Sequence, residues 1–205
     1  MTLPARTRPR LSVGAKLALT ASALTLFGAA FAGTLAVFSS AASNTGNAFT
    51  AGTVVLADND SGTAMLGMSG AKPGDSDTSC IRITYSGTLP SSVRLYGTTT
   101  GTGLDPYLSL TVTRGTLSSG FDNCTGFAAD ATDYIGAGAG VIYSGTLQAY
   151  ADDYAGGLVD PKPATPESWT NGETHDYRFV ITVLDNDSAQ GKNATQAFTW
   201  EARSS

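Results

Sequence analysis

Four segments of this chain alternate apolar and polar residues with a period of two, which is the pattern of pleated strands buried on one face. Residues 80–85 place Ile81, Ile83 and Tyr85 on one side and Arg82 and Thr84 on the other. Residues 107–114 turn Leu108, Leu110 and Val112 inward, with Ser109, Thr111 and Thr113 outward. Residues 177–184 put Tyr177, Phe179, Ile181 and Val183 on one face. Residues 195–202 set Phe198 and Trp200 opposite Ala197, Thr199 and Glu201. Residues 53–56 and 93–96 are shorter strand candidates, and Asp58-Asn59-Asp60-Ser61-Gly62, Pro73-Gly74-Asp75, Asn171-Gly172 and Asp185-Asn186-Asp187 are turn signals. Composition agrees: 24 Gly and only 14% charged residues suit many strands and turns and disfavour a helical bundle.

One stretch follows another period. Leu147, Tyr150, Ala151 and Tyr154 have helical spacing, with Thr146 placed as N-cap and Gly156-Gly157 as the stop. Residues 160–166 contain three prolines and predict an exposed loop. The expected fold is all-β: a jelly-roll-like antiparallel β-sandwich with a short crossover helix. Two short strings recur. Tyr85-Ser86-Gly87-Thr88-Leu89 returns as Tyr143-Ser144-Gly145-Thr146-Leu147, and the Asp-Asn-Asp-Ser of position 58 returns at 185. They are too short for a repeat architecture and predict a strand ending in a Ser-Gly turn, used twice.

The N-terminal stretch has export chemistry. Arg6, Arg8, Arg10 and Lys16 precede the uncharged residues 17–31, and Thr34-Leu35-Ala36 has the small-residue spacing of a cleavage site. A signal peptide over 1–36 is expected, cut between Ala36 and Val37, with a second possible cut after Ala42. The rival is a retained anchor, since residues 17–38 are long enough to span a bilayer. On the first reading the mature domain covers 37–205 and meets the membrane only transiently, through its leader. All 17 acidic residues but only eight of the 12 basic ones follow Ala36, leaving nine net negative charges. Such a domain repels phosphates, so nucleic acid is not an expected partner.

Cys80 and Cys124 both fall in the expected exported part, where two cysteines pair. Closing a loop of about 45 residues constrains the unfolded chain by roughly 4 kcal/mol at most. No CxxC is present, and a metal site would need more ligands than these two cysteines and His175, the only histidine.

Signals of catalysis are sparse. His175 sits in Glu173-Thr174-His175-Asp176, without HExxH or a GxSxG elbow elsewhere, and reads as a solvated turn residue. The carboxylate pairs Asp152/Asp153, Asp58/Asp60 and Asp185/Asp187 read as turn acids. Asp58 and Asp60 are also a weak calcium candidate, as hard oxygens at alternate positions. The Gly comes one position early for an EF-hand, and Ser69 stands where that loop needs Glu. Trp169, beside Asn171-Gly172, is the better candidate for an exposed sugar platform, although packing is favoured for both tryptophans; Trp200 reads as core. No cofactor is expected.

The run Gly33-Thr34-Leu35-Ala36-Val37-Phe38, then Asn47-Ala48-Phe49-Thr50-Ala51-Gly52-Thr53-Val54, then Lys72-Pro73-Gly74-Asp75, resembles the TasA/camelysin family. Residues 190–202, ending in Trp200-Glu201-Ala202, look like that family's last strand. The resemblance covers both ends of the domain and leaves the middle divergent. It implies a secreted protein of the extracellular matrix or cell surface, released by a SipW-type signal peptidase. It also implies fibres built by donor-strand exchange, with another copy or another matrix protein as partner. The donor would be the strand within residues 47–57, namely Phe49, Ala51, Thr53, Val54, Val55 and Leu56. An apolar strand after a flexible stretch can add to an open sheet edge, and a head-to-tail contact that does not close propagates. The alternative is a monomeric surface adhesion or binding module for saccharide or calcium. A secreted hydrolase ranks below both, and a metalloprotease lower still.

Overall fold

The computed structural model of the protein describes residues 52–204. The expected leader over 1–36, its cut between Ala36 and Val37, and Phe49 and Ala51 of the expected assembly strand lie outside the described residues. Those residues form ten strands: β1 (Leu56–Asp58), β2 (Ser76–Tyr85), β3 (Ser91–Gly101), β4 (Leu108–Thr116), β5 (Ala128–Ala129), β6 (Val141–Thr146), β7 (Leu158–Val159), β8 (Ser168–Trp169), β9 (Thr174–Val183) and β10 (Ala194–Ser204). One sheet runs β1-β2-β9-β4, with β5 and β6 sharing the other edge of β4. The second runs β10-β3, with β7 and β8 on the other edge of β3. Every pairing is antiparallel. The chain changes sheets after β2, β3, β6, β8 and β9, so it builds an all-β sandwich with both sheets formed together.

Alternation explains the core. Ile81, Ile83 and Tyr85 from β2, Leu108, Leu110 and Val112 from β4, and Tyr177, Phe179, Ile181 and Val183 from β9 are buried on the inner face. Val93 and Leu95 from β3 meet them, with Phe198 and Trp200 from β10 partly buried against the same cluster. Phe179 bridges the sheets, with ring centroids 4.7 Å from Phe198 and 5.8 Å from Trp200. Each buried side chain of this size contributes about 1.5–3 kcal/mol.

The sandwich has two ends. At the entry end, Gly52 packs against Leu89 beside the β2–β3 turn and the start of β9. At the opposite end lie the β3–β4 and β9–β10 connections. Since β2 has ten residues, the ends are about 30 Å apart.

Two expectations change. The crossover helix is only a 3-10 turn at Leu147–Ala149; Thr146 makes no side-chain cap and Tyr150 is already extended. Leu147 and Tyr150 still bury, because one tight turn is enough to aim both inward. Within the proline-rich stretch, Asp160 is fully buried and only the residues after Pro161 reach the surface.

The recurring pentapeptide has a structural cause. The Tyr85 hydroxyl donates to Leu89 O, and the Tyr143 hydroxyl donates to Thr146 O at 2.6 Å. Each ring folds back over its own glycine: a Cβ on Gly87 would strike the Tyr85 hydroxyl, and one on Gly145 would lie 2.8 Å from the Tyr143 hydroxyl. The first copy follows a strand end, as expected, whereas the second lies within β6.

Candidate functional site

Near the entry end of the core sits a cluster of charges that no local motif announces. Arg114, near the end of β4, continues the inward face of Leu108, Leu110 and Val112, so alternation buries its guanidinium. Around it stand Asp160 and Glu167 from the β7–β8 loop, Asp130 after β5, and His175 from β9. Arg114 Nε is 3.3 Å from Asp160 Oδ1, and Nη1 is 3.0 Å from Asp130 Oδ2. Nη2 pairs with Glu167 and donates to His175 Nδ1 at 2.6 Å. The opposite ring nitrogen, Nε2, lies 2.9 Å from Glu173 Oε1. Trp169 donates its indole N–H to Asp160 Oδ2 at 3.1 Å and packs edge-on against His175, with centroids 4.4 Å apart.

Burial governs the chemistry here. Desolvation pushes the Asp160 carboxyl up to about 6, against the pull of Arg114 and His175. Burial also works against the Arg114 charge, but Asp160, with Tyr177 and Glu167, outweighs it and holds the pKa above its ordinary value. Glu173 is desolvated too, yet hydrogen bonds from His175 and Thr170 leave its pKa lowered. Asp160, Glu167 and His175 each offer a ligand atom within 4.8 Å of the others, a spacing that fits a metal ion. The guanidinium already contacts all three, so the chain supplies its own cation there. Among the described residues, no serine, threonine or cysteine bonds to His175. Joining β4 and β9 of one sheet to the β7–β8 loop of the other, the cluster is an inter-sheet clamp.

The residues singled out from sequence fare differently. His175 is not a solvated turn residue: its side chain is 15% exposed and bonded on both sides. Trp169 is fully buried and cannot be a sugar platform, while Trp200 is half-buried. Asp58 Oδ1 accepts the Asp60 N–H at 3.3 Å and Asp60 Oδ1 accepts the Gly62 N–H at 2.6 Å, so both acids cap their own turn. Asn186, in the second copy of that string, caps Ser188 in the same way at 2.9 Å. Cys80 and Cys124 form a disulfide with Cα atoms 5.2 Å apart, which fastens the loop after β4 to β2.

The two sheets end differently at their outer edges. β10 has 11 residues and, among the described residues, pairs only with β3. Its first seven, Ala194 to Trp200, carry no charge to discourage further pairing; Glu201 and Arg203 come only at the end. Beside it runs β1, whose segment is held to the entry end by Ser86 N–H to Val55 O at 2.9 Å and Thr88 N–H to Thr53 O at 2.7 Å. That segment leaves Val54 38% and Val55 44% exposed. Between β1 and β10 lies a groove of about 220 Å³, walled by Leu56, Ile83, Phe198 and Trp200. Trp200 Nε1–H is buried and has no acceptor among the described residues. Sequence pattern placed Trp200 inward but could not reveal its unanswered donor, because that depends on what crosses above it.

Among the described residues, no helix is long and apolar enough to cross a membrane. No protein-family model matches the chain, and no curated protein matches it.

Proposed function

We propose that the protein is a secreted structural subunit of extracellular or surface fibres, and that its N-terminal strand pairs with the β10 edge of the next copy. The observation that carries this reading is an 11-residue strand with one partner among the described residues, together with an N-terminal segment that bonds to its own β2–β3 turn through Thr53 and Val55 yet leaves Val54 and Val55 exposed. Edge strands of that length invite a further strand unless charge or a covering element blocks them. The chain enters at one end of the sandwich, and the uncharged half of β10 begins at the other, so the contact is head-to-tail, the kind that propagates as a filament when its rotation does not close. The motif resemblance to the TasA/camelysin family points the same way. In this reading the leader is removed at Ala36–Val37 by a signal peptidase, the partner is a second copy, and the role is mechanical rather than catalytic.

Electron microscopy and light scattering on protein beginning at Val37, beside protein beginning at Val54, test the proposal. Filaments from the first and none from the second are expected. A monodisperse monomer from the longer form across pH, salt and concentration would sink it.

A further inference from the structure

The sandwich is incompletely filled at the end opposite the chain entry. An apolar chamber of about 310 Å³ lies between the sheets there, walled by Leu104, Leu147, Ile181, Val183 and Phe198 and roofed by Met65. It shares Met68, Ala71, Leu104, Val183 and Ala194 with a neighbouring outer cleft of about 660 Å³, which forms its mouth. Protein interiors pack closely, and an apolar space of this size with a polar rim is the usual form of a small-ligand site. The roof is irregular chain, and methionine side chains repack readily around different contents.

The mouth has its own charge. Lys72 and Lys192 both line it, with Asp187 the one acid there. The domain carries nine net negative charges after Ala36, yet two of its three lysines meet at this opening. Neither ammonium is ion-paired among the described residues, and Lys192 Nζ lies 6.0 Å from the Tyr107 ring. A mostly apolar, open cleft beside a net positive mouth is complementary to an amphiphile with an apolar tail and an anionic head.

We infer that this cleft binds a single acyl chain bearing an anionic head group, with the tail under Met65 and Met68 and the head between Lys72 and Lys192. Tail burial supplies the affinity and the lysines supply the choice of head. This site shares only Phe198 with the β1–β10 groove, and its binding is read on the unassembled protein.

Calorimetric titration with octanoate, decanoate and dodecanoate, each kept below its micelle concentration, tests the inference. Saturable one-to-one binding is expected, tightening up to about fourfold per added methylene until the chamber is full. An alkyltrimethylammonium of equal tail length should bind about tenfold more weakly, and Lys72→Glu with Lys192→Glu should reverse that preference. Ala71→Trp should abolish binding by filling the passage. The lysine variant changes only the mouth, so it reads the head-group choice independently of how Ala71→Trp folds. Equal binding of both head groups by the unaltered protein would overturn the inference. So would decanoate binding that persists in a folded Ala71→Trp variant, or displacement of decanoate by a peptide of residues 47–57, which would assign the cleft to a strand.

Discussion

Arg114 Nε lies 3.3 Å from Asp160 Oδ1, with both side chains almost wholly out of solvent where β4 of one sheet meets the β7–β8 loop of the other. The pair joins residues 46 positions apart, and three further partners converge on it from positions 130, 167 and 175. Removing the guanidinium leaves Asp160 buried without its counter-charge. Arg114→Met should cost about 3–5 kcal/mol in urea unfolding, and adding Asp160→Asn should recover part of it. A loss below about 1 kcal/mol would show that the clamp is not holding the sheets.

The same carboxyl sets a pH dependence. Its folded pKa, about 6, lies above the ordinary 3.8. Its proton-linked stabilisation is therefore complete below the ordinary value and is lost as pH rises through about 6. Wild type should lose stability relative to Asp160→Asn between about pH 4 and 6, by about 3 kcal/mol at most. Urea midpoints for both proteins across that range check this, and a constant difference would contradict it.

With the guanidinium in place, zinc should not raise the melting temperature of the wild type. Arg114→Ala vacates the space between Asp160, Glu167 and His175, whose ligand atoms stay within reach of one ion. That variant should gain a zinc-dependent rise in melting temperature, reversed by chelator.

Tyr85 and Tyr143 each close over a glycine, so the pentapeptide is a packing unit. Gly87→Ala and Gly145→Ala should each cost about 1–3 kcal/mol by pushing a tyrosine ring off its carbonyl acceptor. Thermal unfolding of the two variants measures it, and an unchanged midpoint at Gly87 would refute the explanation.

Much of the fold was legible because a half-buried strand writes its burial into alternate residues. Ile81, Ile83 and Tyr85, or Tyr177, Phe179, Ile181 and Val183, needed only that period. β6 escaped because Tyr143-Ser144-Gly145-Thr146 lacks alternation and is held instead by pairing to β4. The helix expected at Leu147 failed because two inward side chains three apart fit one 3-10 turn as well as a longer helix. The Arg114 clamp was half visible: the period of β4 carries Arg114 inward, but its partners come from distant loops with no fixed spacing. Asp160 in particular looked like loop because three prolines follow it, and only the tertiary fold buries it.

Whether the strand at Val54 pairs with β10 of another molecule is most directly tested by placing a photo-crosslinking benzoylphenylalanine at position 54. That protein is mixed with an isotope-labelled wild-type copy, irradiated after assembly, and mapped by mass spectrometry. The account predicts adducts joining position 54 to Ala194–Ser204 peptides of the labelled copy. Adducts confined to the same molecule, or falling on another surface of the labelled one, would contradict it.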